Sequence, residues 1–159
     1  MTRNSRAKYI GVAGFALVSA IIAYVLSGWP PNDCRLPRVD GEYNQTILGA
    51  AVNLNAGEYQ VHEIDVPQNA VNAKITACIL VGGATGSEVR MMLLNQESYA
   101  EWQQNQSVSH VVIDRNLSRP TNWITNLKSG EVFYLVFDNK FGSLPSKPIY
   151  ANIELVYDK

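Results

Sequence analysis

Apolar residues follow two different patterns along this chain. From Tyr9 to Trp29 they run without interruption, and YIGVAGFALVSAIIAYVLSGW contains no charged residue. As a helix rising about 1.5 Å per residue, these 21 residues span roughly 30 Å, the thickness of a bilayer's hydrocarbon core. Beyond Gly41 the apolar residues come in short alternating runs separated by turn residues, the signature of β-strands.

The strand runs can be placed one by one. Thr46 to Leu54 is followed by the turn Asn55-Ala56-Gly57. Tyr59 to Val66 alternates, with Tyr59, Val61 and Asp65 on one face and His62, Ile64 and Val66 on the other. Ala73 to Val81 sets Ile75, Ala77, Ile79 and Val81 on a common face and ends at Gly82, Gly83 and Gly86. Val89 to Leu94 follows. The period then changes: Asn95 to Gln104 is polar, Asn95 can cap a helix, and Tyr99 and Trp102 are spaced to face inward together. One or two helical turns over the sandwich edge are predicted there. Strands resume at Val108 to Ile113, Asn122 to Leu127 and Glu131 to Phe137, the last apolar on both faces. In the final run Ile149, Ala151, Ile153, Leu155 and Tyr157 point one way. The predicted fold is mainly β: an antiparallel sandwich or jelly roll of about eight strands with one short helix, preceded by a single transmembrane helix.

The division that follows is a cytoplasmic stretch 1–8, a membrane helix 9–29, a proline-rich linker 30–41 and an outer β domain 42–159. Arg3, Arg6 and Lys8 precede the apolar run, which keeps the amino terminus in the cytoplasm and places the C-terminal domain outside the inner (plasma) membrane, in the periplasm or its equivalent. Tyr9 and Trp29 stand at the two lipid–water boundaries, where amphipathic rings are favoured. A signal peptide is the alternative, but its apolar core is shorter, about 7–15 residues, and the best cleavage position here, Val25-Leu26-Ser27, is mediocre. Pro31-Asn32-Asp33 before Cys34 does not make a lipoprotein site. Ala13, Ala16, Ala20, Ala23 and Ser27 form a seam of small residues, the kind that lets membrane helices approach closely; it implies a helix of another membrane protein as partner. The prolines of the linker favour a stiff spacer holding the outer domain off the lipid.

Charge and cysteine content narrow the classes. Charged residues are 17% and hydrophobic ones 47%, which excludes a disordered tail. Outside Arg3, Arg6 and Lys8 the chain carries 10 basic against 14 acidic residues, so its outer part has no basic patch for nucleic acid. Cys34 and Cys78 both fall beyond the membrane, in a compartment that permits a disulfide between them.

From Tyr134 to Tyr150 the chain reads YLVFDNKFGSLPSKPIY. Phe137, Asp138, Asn139, Phe141, Ser146, Lys147, Ile149 and Tyr150 fall in order on a pattern that resembles the closing hairpin of GOLD domains, the Golgi-dynamics β-sandwich. Gly142 stands where serine is usual. The stretch from Met91 to Gln104 is similar to bacterial and archaeal relatives, and pre-peptidase C-terminal sandwiches are a neighbouring resemblance. The resemblance covers 17 residues. It implies a protein- or lipid-interaction module with no catalytic residues to transfer. Eukaryotic GOLD cargo receptors carry their membrane helix after the sandwich and a coiled coil, so cargo-receptor function is not carried over. Read physically, Asp138 and Asn139 are short side chains able to bond backbone where a strand ends, and Lys147 can pair with Asp138 across the loop.

No catalytic constellation emerges. His62 and His110 lie in strand patterns without a motif around them, and two cysteines 44 positions apart with two isolated histidines do not make a zinc site. No phosphate-binding glycine loop or calcium loop is present, so neither cofactor nor metal is expected. Three sequons, at Asn44, Asn105 and Asn116, would carry glycans only in a secretory-pathway host. The expectation is a non-enzymatic, single-pass accessory subunit docked on a larger membrane complex, of the kind found in respiratory or photosynthetic assemblies. The alternative is a tethered receptor for a lipid, glycan or exported protein, using exposed rings such as Trp102, Trp123 and Tyr150. The ligand is not specified by the sequence.

Overall fold

The computed structural model describes residues 34–82, 88–105, 107–140 and 146–159. The predicted membrane segment, with Tyr9, Trp29 and the seam Ala13, Ala16, Ala20, Ala23 and Ser27, lies outside the described residues. Among the described residues no helix is long and apolar enough to cross a membrane. All described elements belong to the compact unit Asp33–Lys159.

Eight strands and one helix follow in order: β1 (Tyr43–Asn55), β2 (Tyr59–Asp65), β3 (Val71–Val81), β4 (Val89–Asn95), α1 (Gln96–Gln103), β5 (Val111–Leu117), β6 (Thr121–Asn126), β7 (Val132–Asp138) and β8 (Ser146–Asp158). They make two four-stranded sheets, ordered β1-β8-β3-β6 and β2-β7-β4-β5, with antiparallel pairing throughout. Only β4 and β5, on either side of α1, are consecutive strands paired in one sheet; every other connection crosses between sheets. This is jelly-roll wiring.

The alternation explains the packing. Successive strand residues point to opposite faces. In β8, Ile149, Ala151, Ile153 and Leu155 are fully buried in the space between the sheets. There they meet Ile75, Ala77 and Ile79 of β3 and, from the opposite sheet, Met91 and Leu93 of β4 and Leu135 and Phe137 of β7. Each such large side chain contributes on the order of 1.5–3 kcal/mol by leaving water. Trp123 of β6 belongs to this core, 5% exposed.

Three sequence expectations are corrected, and one, the disulfide, is met: Cys34 is bonded to Cys78, and the Thr76 hydroxyl donates to the carbonyl of Pro37 at 3.3 Å. Thr76 and Cys78 alternate with the core residues of β3 and so point to the outer face of their sheet, yet both are buried, because residues 34–40 are fastened at that face. The run from Tyr134 to Tyr150 is not a hairpin, since β7 and β8 lie in different sheets. The helix does not sit at an edge; it packs against β4 and β7, the two inner strands of its sheet. Finally β5 begins at Val111 and continues through the polar Asp114-Arg115-Asn116, later than the predicted 108–113.

Candidate functional site

Two constellations collect the polar and aromatic residues singled out by the sequence. The first closes one end of the sandwich. Here the turn from β1 to β2 bends at Gly57, whose φ of 83° suits glycine, and the Glu58 N–H donates to the Asn55 carbonyl at 3.1 Å. Asn139 clasps this turn. Its backbone N–H donates to the Glu58 carbonyl at 2.9 Å, its carbonyl accepts from the Gly57 N–H at 3.1 Å, and its side-chain amide donates to the Leu54 carbonyl at 3.1 Å. The Asp138 carboxylate, 4% exposed, accepts from the Lys140 N–H at 2.7 Å.

Lys147 completes this end in an unexpected way. It lies opposite Leu54 in the β1–β8 ladder and in phase with Ile149 and Ala151, so its side chain points between the sheets. Its ammonium donates to the backbone carbonyl of Glu88. The ion pair with Asp138 that the sequence allows is not formed; among the described residues the ion pairs are Arg90–Asp114 and Lys128–Glu131. Burial pushes the Lys147 ammonium below the ordinary lysine range, with Glu88 opposing that shift. Asp138, Asn139 and Lys147 each make a side-chain bond to the fold's own backbone, while the Asn139 Oδ1 is buried without a hydrogen-bond partner.

The second constellation is aromatic and lies on the outer face of the β2-β7-β4-β5 sheet. Asn95 starts α1 there by accepting the Ser98 N–H at 2.9 Å, a standard N-cap. The helix presses Trp102 onto Met92, Leu94 and Val136, forming a small satellite core. Tyr99 stacks on Tyr134 of β7 with centroids 4.0 Å apart, and Tyr59 of β2 meets Trp102 edge to face at 5.0 Å. The ammonium of Lys140 lies 4.6 Å from the Trp102 ring centroid and 4.9 Å from that of Tyr59, within cation–π range. Burial, then the neighbouring Tyr59 and Tyr134, raise the Tyr99 phenol above its usual range.

This ledge brings together residues 59, 99, 102, 134 and 140 from three separate stretches of the sequence. Of the three rings proposed as a binding face, Trp123 is core, Trp102 is 7% exposed and Tyr150 is half-buried. Tyr59, at 47% exposure, is the ring the ledge offers to solvent, and no local pattern marks it.

The two histidines have different surroundings. His62 is half-buried against Phe137 at 6.3 Å, and burial alone holds its pKa below the ordinary imidazole value. His110 is exposed, and its backbone carbonyl accepts from the Ser98 hydroxyl. Among the described residues no group of His, Cys, Asp or Glu is arranged to hold a metal ion.

No family model matches this chain, and no curated protein matches it. Solved structures similar in part include the following two. Tripeptidyl peptidase 2 (TPP II) aligns over 80% of this chain and 10% of its own, with 11% identity and a TM-score of 0.46. FLHE aligns over 76% of this chain and 100% of its own, with 17% identity and a TM-score of 0.42. The chain thus spans about a tenth of the first of these proteins.

Proposed function

We propose that this chain is a membrane-tethered, non-catalytic interaction module: a single-pass accessory subunit that docks on a larger membrane assembly through its apolar segment 9–29 and its outer β-sandwich. The amino terminus stays in the cytoplasm and the sandwich stands on the extracytoplasmic side. The observation that carries this reading is the use to which the polar residues are put. Asp138, Asn139 and Lys147 each bond to the backbone at the closed end, which supports a structural use of these side chains. The Cys34–Cys78 bond suits an oxidising compartment outside the cytoplasm.

The experiment is purification of the tagged full-length chain from native membranes in mild detergent, with identification of what accompanies it. A stoichiometric set of companion membrane proteins is the expected result. A chain that runs without companions of any other sequence contradicts the docking role.

A tethered receptor is the second reading, and the observation favouring it is the Tyr59–Lys140–Trp102 ledge. Burial of both Trp102 and Trp123 counts against it, because a ring buried in the fold cannot stack on a ligand.

A further inference from the structure

A sandwich leaves four edge strands, here β1, β6, β2 and β5. Such edges invite pairing with other chains, and proteins protect them with short length, charge or proline. Three of these edges are protected. β5 carries Asp114 and Arg115, β2 carries Glu63 and Asp65, and β6 is six residues long and preceded by Pro120. β1 is different. It is 13 residues long, YNQTILGAAVNLN, with neither a charge nor a proline.

The shape of β1 suits a partner strand. A bulge lies between Thr46 and Leu48, and from Leu48 to Asn55 the register with β8 is unbroken, so this half of the edge is regular. Its core-facing positions are incompletely covered: Leu48 and Val52 are half-buried and Ala50 is exposed, although their partners Ile153, Ile149 and Ala151 are fully buried. Among the described residues no strand pairs with the outer side of β1.

We infer that β1 pairs antiparallel with β1 of a second copy of this chain, about a twofold axis at Ala50. The sequence around Ala50 is self-complementary, as a twofold interface requires. With Ala50 opposite its own copy, Leu48 meets Val52 and Gly49 meets Ala51, so branched apolar residues oppose each other and small ones do likewise. No charge on either strand opposes the approach. The two β1-β8-β3-β6 sheets then join into one continuous sheet. This claim goes beyond the accessory-subunit reading and does not depend on it.

The test uses the full chain in detergent, with mass read by light scattering over a concentration series, and three variants. Wild type is expected to be a dimer. Ala51→Lys, at an exposed position, sets two ammoniums diagonally across the axis on one face of the joined sheet and weakens dimerisation by about two- to fivefold, since like charges on paired strands repel. Val112→Lys, on the protected β5 edge, leaves the dimer intact. Ala50→Cys yields a covalent dimer on mild oxidation, because directly opposed Cβ atoms lie about 4.5–5.5 Å apart and the two native cysteines are already bonded to each other. A wild-type monomer at all concentrations overturns the inference. So does a dimer that Ala51→Lys leaves untouched, or cross-linking of Ala50→Cys to a different protein. A monomer that still brings its membrane companions overturns the edge pairing while leaving the docking role standing.

Discussion

The side-chain amide of Asn139 donates to the backbone carbonyl of Leu54, 85 positions earlier, at 3.1 Å. That bond ties the end of β7 to the end of β1 and so joins the two sheets where the sandwich closes. Asn139→Ala removes the donor and leaves a buried carbonyl without it. A loss of about 1–3 kcal/mol is expected from denaturant unfolding. An unchanged midpoint would show that the clasp contributes nothing.

The Cys34–Cys78 bond closes a loop with a separation of 44 residues and pins residues 34–40 against β3. Cys34→Ser, or reduction of the native chain, is expected to cost about 2–4 kcal/mol. Comparing thermal unfolding with and without reductant checks this. If the two curves coincide, the strap is ornamental to stability.

Trp102 holds α1 on its sheet through Met92, Leu94 and Val136. Trp102→Ala is expected to destabilise by about 3 kcal/mol, in the range for losing a buried aromatic ring. Amide exchange should then rise in α1 before it rises in β8, whose core is separate. Uniform exchange across both would mean that the satellite core is not an independent unit.

His62 supplies a pH signature. Burial lowers its folded pKa below the ordinary 6.5, so the unfolded chain takes up a proton at a pH where the folded chain does not. Stability from this group is therefore complete above about pH 6.5 and declines as pH falls from there toward the lower folded value. Stability measured against pH should show this decline in wild type and lose that part of it in His62→Gln. Identical slopes in the two proteins would contradict the assignment.

Much of the fold was legible because its core strands alternate. Of the inward set Ile149, Ala151, Ile153, Leu155 and Tyr157 read from the sequence, the first four are buried and Tyr157 is half-buried against the same core, while Lys147 and Val156 are buried as well. The same alternation marks Lys147 as inward-facing, but a charge at that phase reads as a strand end until the Glu88 carbonyl is seen to receive it. β5 was displaced because its middle, Asp114-Arg115-Asn116, is exposed and polar; pairing with β4, reinforced by Arg90 and Asp114, makes it a strand. The resemblance to GOLD domains implied a hairpin of β7 and β8, but the chain crosses between sheets from one to the other. The aromatic ledge was not legible, since Tyr59, Tyr99 and Tyr134 converge from β2, α1 and β7 without any local period.

The central claim is that segment 9–29 stays with the mature chain and holds a folded, disulfide-bonded sandwich outside the cytoplasm. The most direct measurement is the intact mass of the native protein, taken from alkaline-washed membranes and from the soluble fraction. The account predicts a chain that retains Tyr9 to Trp29 in the washed membranes. A shorter chain beginning after about Ser27 and found in the soluble fraction would contradict it.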